Sequence, residues 1–174
     1  MPSDAPSAHA GALDPAQSAA VSAAIERLRD LPGALLPILH AVQAELGFVP
    51  PAAHEPIAAA LNLSRADVHG VVTFYHDFRS APPGEHVLKV CRAEACQAMG
   101  CAQLERHVEQ RTGVAKLHGT TADGKLTVEP VYCLGNCALS PSVQLDGRVF
   151  GRVTPARLDA LLAAAQRGAK GGRS

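Results

Sequence analysis

Aromatic residues are scarce in this chain: two tyrosines, four phenylalanines and no tryptophan in 174 residues. A surface that stacks nucleobases has little to draw on. An excess of charge of one sign is also missing, because Lys plus Arg and Asp plus Glu each number 16. With no basic surplus to neutralise phosphates, nucleic acid is not an expected partner. Long apolar runs are absent as well. None approaches the roughly 18 residues that span a bilayer, and the stretch 34–42 is interrupted by Pro37 and His40. Residues 1–20 carry Asp4 and Asp14 and show neither a basic start nor an apolar block, which speaks against a secretory leader. These absences lead us to expect a cytoplasmic protein with no direct membrane insertion.

What is present is a packable chain with an apolar fraction of 47% and five cysteines: Cys91, Cys96, Cys101, Cys133 and Cys137. A reducing cytosol makes disulfides a poor explanation for them, and metal or redox chemistry a better one. No C-x-x-C occurs, which weighs against a thioredoxin-type dithiol. No Gly-rich dinucleotide fingerprint occurs either. Serine, histidine and carboxylate residues form no recognisable nucleophilic triad. No catalytic residue is therefore assigned, and no substrate site is expected in this chain alone.

The pattern along the chain divides in four. Residues 1–13, rich in Ala, Pro, Ser and Gly, read as a flexible lead. Residues 14–80 read as a helical domain. Asp14-Pro15 fits a helix start, with Val21, Ala24, Ile25 and Leu28 at helical spacing. Leu35, Ile38, Leu39, Val42 and Leu46 predict a second helix that stops at Gly47. A short helix around Glu55–Leu61 follows. Ser64 and Asp67 then resemble a capping box opening another.

Residues 81–166 change character. Strands are predicted over 86–90 and 126–132, each running into a cysteine, with Pro130 suggesting a sheet edge or a strand end. Residues 98–112 predict a helix with Cys101, Leu104 and Val108 on one face. Asp146-Gly147 predicts a tight hairpin between 142–145 and 148–153. Thr154-Pro155 opens a last helix through Leu158, Leu161 and Leu162. Residues 167–174 read as a disordered tail. The fold class is α+β: a small N-terminal helical bundle followed by an α/β domain of thioredoxin-like size.

The cysteine spacing is Cys91-x4-Cys96 and, 36 residues on, Cys133-x3-Cys137. Both pairs begin where a strand ends, so two loops at one end of a sheet can gather four soft, anionic sulfurs. A 2Fe–2S cluster takes such a set. Small neighbours, among them Ala93, Ala95, Gly135 and Ala138, let backbone N–H groups approach the sulfurs. A helix starting near Gln97 would point its positive end at the site. A four-cysteine zinc site uses the same ligand type with tighter usual spacing, and a reactive thiol pair needs no metal. Spacing alone leaves these alternatives open.

The segments CRAEACQAMG and CLGNCALSP, with VVTFYHDF upstream, resemble the signature of the thioredoxin-like 2Fe–2S ferredoxin family. That family includes the small iron–sulfur subunit of the NADH dehydrogenase module of complex I, and relatives in NAD-linked hydrogenases and formate dehydrogenases. The resemblance runs from ALLPILHAVQAELGFVP to the last helix. It implies one 2Fe–2S cluster ligated by Cys91, Cys96, Cys133 and Cys137, one pair to each iron, in an electron-transfer subunit. FMN and NAD are then expected in a flavin-bearing partner subunit. Within the family, CRAEACQ, NLSRADVHGVVTFYHDFR and TTADGKLTVEPVYCLGNCALSP are most similar to the gamma subunit of NAD-dependent formate dehydrogenase. That branch implies a further partner carrying a molybdenum cofactor.

Other conspicuous residues have plainer readings. Cys101 is expected as a small buried residue rather than a fifth ligand. Phe74, Tyr75 and His76 are expected to pack at a junction, a partner contact being the alternative that the resemblance suggests. His40, His54, His107 and His118 are expected at the surface or half-buried, and His86 at the end of its strand remote from Cys91.

Overall fold

The structure, a computed structural model, describes residues 11–171, with side chains as far as Arg167. Most of the expected lead and the last three residues of the expected tail lie outside that range. The chain forms two compact units, one closing at Pro82 and the other opening at Pro83.

The first unit is helical because local capping chemistry and apolar spacing agree. Asp14 caps α1 (Pro15–Leu28): its Oδ1 accepts the Gln17 N–H at 2.8 Å, and Gln17 Oε1 accepts the Asp14 N–H at 3.3 Å. In α2 (Leu35–Leu46), Pro37 costs nothing, because the first turn of a helix has no use for its N–H. The first helical bond comes from the Ile38 N–H to the Ala34 carbonyl at 3.0 Å. Helix α3 (His54–Leu61) follows a tight turn at Pro51–Ala53, and α4 (Arg65–Phe74) opens on the Ser64/Asp67 capping box. Ile38, Leu39, Val42, Val49, Ile57 and Val68 are wholly buried in one core. Each such side chain stabilises by about 1.5–3 kcal/mol. Gln43 on α2 pins the exit segment by donating to the Asp77 carbonyl at 2.7 Å and accepting the Arg79 N–H at 2.8 Å.

The second unit is a five-stranded mixed sheet of order β2-β3-β1-β4-β5. The strands are β1 (His86–Cys91), β2 (Gly119–Thr120), β3 (Leu126–Val131), β4 (Val143–Leu145) and β5 (Arg148–Phe150). β1 and β3 run parallel with Cys91 opposite Val131, and the other pairings are antiparallel. Between β1 and β3 lie α5 (Glu94–Ala98) and α6 (Cys101–Thr112), while α7 (Pro155–Gly171) ends the chain. One sheet face, carrying Leu88, Val90, Leu126, Val128, Val143 and Leu145, packs with Leu104 and Val108 of α6 and Leu158 and Leu162 of α7. Residues of opposite parity are more polar: Lys89 and Glu129 are register partners and an ion pair at 3.8 Å.

Several expectations are corrected in detail. The helix predicted over 98–112 starts at Cys101, with Ala98 closing the separate α5, because Gly100 between them sits at φ 93°, where a residue with a Cβ is strained. The strand predicted over 126–132 is internal and ends at Val131; Pro130 is tolerated because β2 reaches only Thr127 and Val128. The two-residue β2 was not predicted. The hairpin falls at Asp146-Gly147, with φ 48° and 80° as a type I′ turn requires. Helix α7 continues to Gly171, past Arg167, where the tail was expected to begin.

Candidate metal centre

The parallel pairing of β1 and β3 decides where the cysteines lie. Cys91 is the last residue of β1, and Cys133 follows two residues after its register partner Val131. Parallel strands end on the same side, so both pairs start from one end of the sheet. Cys96 lies in the middle of α5, which begins at Glu94 rather than near Gln97 as expected. Cys137 opens a single 3-10 turn, Cys137–Leu139.

The four thiols come together as two pairs of different exposure. Cys91 and Cys96 are 3% and 2% exposed, whereas Cys133 and Cys137 are exposed. Burial pushes the Cys91 thiol above its ordinary pKa, and the neighbouring Cys96 adds to this; backbone N–H groups of Ala93 and Leu134 act in the opposite sense. Cys137 is raised chiefly by Cys133 beside it, with a further contribution from Cys96. The thiols are neighbours within each pair, and Cys96 is near enough to Cys137 to be felt electrostatically. Metal binding to such thiols releases their protons. Among the described residues no three His, Cys, Asp or Glu side chains converge as a single ion requires. Two pairs starting from one sheet end suit a two-iron rhomb, in which each iron takes two cysteines.

The backbone around the thiols is tied down. The Gly135 N–H points at Cys133 Sγ, 3.3 Å away, and Cys96 Sγ donates to Ser140 Oγ at 3.5 Å. Ser140 Oγ in turn donates to the Cys137 carbonyl at 2.8 Å. The Cys91 N–H donates to the Ser142 carbonyl at 3.1 Å, joining the two cysteine segments. The Arg152 N–H donates to the Leu139 carbonyl at 2.6 Å. Gly151 lets the strand exit lie against the Cys137 turn: a Cβ there would stand 2.5 Å from Leu139 Cβ and 2.7 Å from Asn136 Nδ2. Four sulfurs, N–H donors beside them and a rigid cradle fit a 2Fe–2S cluster in donor chemistry. Sequence reasoning missed Ser140, Ser142, Asn136 and Gly151. The serines and asparagine flank the second motif visibly, whereas nothing in the sequence marks Gly151.

Cys101 is wholly buried, as expected, but it is more than filler. Its Sγ lies 3.2 Å from the Cys91 carbonyl oxygen and 3.0 Å from Glu105 Oε1. Burial, followed by Glu105, pushes this thiol up to about 12. His54 is 3% exposed rather than superficial. His86 does lie at the strand end remote from Cys91, where its Nδ1 meets Asp146 Oδ2 at 2.7 Å. Phe74 is 73% and Tyr75 44% exposed, and their rings meet edge to face with centroids 5.1 Å apart.

A mixed sheet covered by helices, with paired cysteines at the carboxyl end of its two parallel strands, defines a thioredoxin-like protein adapted to carry a metal centre. The model of the thioredoxin-like [2Fe-2S] ferredoxin family matches residues 21–166, and the chain belongs to that family. Its cofactor is accordingly one 2Fe–2S cluster. It is 32% identical over 152 residues to an NADH-quinone oxidoreductase subunit of Pseudomonas aeruginosa, covering 87% of this chain and 91% of the relative. It is 36% identical over 142 residues to an NADH-quinone oxidoreductase subunit of Rhizobium meliloti, covering 82% and 84%. NADP-reducing hydrogenase subunit HndA of Solidesulfovibrio fructosivorans is 31% identical over 139 residues, covering 80% and 81%. Among solved structures, an air-oxidised NAD+-reducing [NiFe]-hydrogenase superposes with a TM-score of 0.65 at 28% identity over 82% of this chain. The match spans only 24% of that hydrogenase chain. Among the described residues no helix is long and apolar enough to cross a membrane.

Proposed function

We propose that Cys91, Cys96, Cys133 and Cys137 ligate the cluster, one pair to each iron, and that the chain is an electron-transfer subunit of a multi-subunit, NAD-linked oxidoreductase. The observation that carries this is the pairing of the four thiols at one sheet end in a chain of this family. When bound, the cluster supplies one-electron chemistry that no side chain here can. The chain's own part is ligation, shielding and orientation. Cys91 and Cys96 hold the buried side, and the N–H groups of Ala93, Leu134 and Gly135 offset negative charge on sulfur.

Cys133 and Cys137 face outwards on the same unit as Met99, Tyr132 and Leu139, apolar side chains left 62%, 70% and 39% exposed. Such residues favour a docked partner over permanent contact with water. The partner proposed is a flavin-bearing, NAD-binding subunit, so that electrons pass singly on one side and in pairs on the other. The relatives named above favour an NADH–quinone oxidoreductase or an NAD(P)-linked hydrogenase as the parent complex. Formate dehydrogenase, with its molybdenum subunit, is supported by the three sequence segments alone and stands as the alternative parent. A cytoplasmic location accords with either.

Affinity purification of the tagged chain from its native host tests this reading. A flavin-containing subunit should copurify, and NADH should generate the EPR signal of a reduced cluster. Recovery without a flavoprotein, or a cluster that NADH leaves oxidised within the complex, counts against it. A quinone-linked membrane arm, a nickel–iron subunit or a molybdenum subunit in the same preparation decides the parent complex. Replacing Cys133 or Cys137 by Ala should abolish the EPR signal, and an unchanged signal would sink the ligand assignment.

A further inference from the structure

We infer that Cys101, outside the proposed ligand set, is a positioning residue for the cluster: with Glu105 and Arg92 it fixes the peptide that leaves Cys91. This role presupposes the ligand assignment proposed above. The Cys91–Arg92 peptide is held at both polar ends. Its carbonyl, on Cys91, receives the Cys101 thiol at 3.2 Å, and its N–H, on Arg92, donates to the Val131 carbonyl of β3 at 2.7 Å. The Arg92 carbonyl accepts from Gln97 Nε2 at 2.7 Å, which fastens the following residue as well.

The thiol is itself part of a chain of polar groups. Glu105, one helical turn along α6, offers Oε1 to Cys101 Sγ at 3.0 Å and to Arg92 Nε at 2.8 Å. Arg92 belongs to the ligand segment, so the chain starts and finishes beside Cys91. A residue needed only for volume would be apolar, as Leu104 and Val108 on the same helix face are. Cys101 instead places one S–H between two oxygen acceptors where water has no access, since it is 0% exposed. Without that proton, the Cys91 carbonyl would lose its thiol donor and Glu105 Oε1 would keep only Arg92 Nε. Groups of this kind, bonded to the backbone of a ligating residue, contribute to the field at a metal centre and hold its ligand geometry.

The test uses the full chain, purified anaerobically with its cluster, as wild type, Cys101→Ser, Cys101→Ala and Glu105→Gln. Midpoint potentials come from dye-mediated titration followed by EPR, and line shapes from the reduced state. The Ala variant should have a lower potential than wild type and an altered line shape, because the Cys91 carbonyl dipole loses its thiol donor and Glu105 keeps only Arg92 as partner. The Ser variant, which keeps a donor, should return both towards wild type. Glu105→Gln removes a negative charge and should raise the potential. Wild-type potential and line shape in Cys101→Ala overturn the inference. Should that variant fail to assemble a cluster, an unshifted Glu105→Gln overturns it equally. A wild-type chain without any reduced-state signal would instead remove the ligand assignment beneath it.

Discussion

Gly151→Ala adds one methyl group and tests how rigidly the Cys137 turn is held. The added Cβ would lie 2.5 Å from Leu139 Cβ, 2.7 Å from Asn136 Nδ2 and 2.8 Å from the Leu139 carbonyl oxygen. Two of those contacts are with main-chain or Cβ atoms, which cannot swing aside as a long side chain can. Overpacking of this sort costs about 1–3 kcal/mol. Displacing residue 151 also strains the neighbouring bond from the Arg152 N–H to the Leu139 carbonyl, 2.6 Å long, worth a further 0.5–1.5 kcal/mol or so. A loss of about 1.5–4.5 kcal/mol is therefore expected in urea unfolding followed by circular dichroism. Iron retention should fall with it, since the displaced turn begins at Cys137. Gly70→Ala is the matched control: that glycine lies within α4 with nothing within 4 Å of its added Cβ, and alanine there should stabilise by about 0.5–1 kcal/mol. A Gly151→Ala protein that unfolds within about 0.5 kcal/mol of wild type and keeps its iron would refute a rigid turn.

Three further predictions concern other parts of the molecule. Ser64→Ala removes the acceptor for the Asp67 N–H and should cost the helical unit about 1 kcal/mol in urea unfolding; no change would mean that the cap is idle. His54 has its pKa lowered by burial first, then by His69 and Arg65, so the unfolded chain binds its proton more readily than the folded one. This contribution leaves stability flat above the usual histidine value of 6.5 and lowers it as pH falls below; His54→Leu should flatten that part of a urea-midpoint profile, and an unaltered slope would assign the effect elsewhere. Asp146→Ala loses the His86 contact at 2.7 Å and the bond accepted from the Val87 N–H at 2.9 Å, and leaves alanine at φ 48°. It should cost about 2 kcal/mol or more, with Asp146→Asn restoring part, and equal stability of the two variants would contradict the role given to the turn.

The features legible in the sequence are those written in adjacent residues. The Asp14 and Ser64 caps, the Asp146-Gly147 turn and the stop at Gly47 each depend on chemistry within a few positions. So does the division of the cysteines into two pairs. The rest depends on partners far along the chain. Strand β2 is two residues long and exists through pairing with β3, where Thr120 and Thr127 also bring their hydroxyls to 2.7 Å. Arg92 and Glu105 are 13 residues apart, and only the turn at Gly100 sets α6 at the angle that joins them. His54 looked superficial because a histidine beside Glu55 and Pro56 carries no mark of burial until α3 packs into the core. The lack of space at Gly151 arises from a turn that folds over it from residues 136–139.

Whether the four paired cysteines hold a 2Fe–2S cluster is tested most directly by anaerobic purification of the chain, with iron, zinc and sulfide assays and EPR before and after dithionite. About two irons and about two sulfides per chain are expected, with no signal when oxidised and a spin-half signal when reduced. Stoichiometric zinc without iron, persisting after attempted cluster reconstitution, would contradict the cluster and leave a structural metal module with no electron to pass.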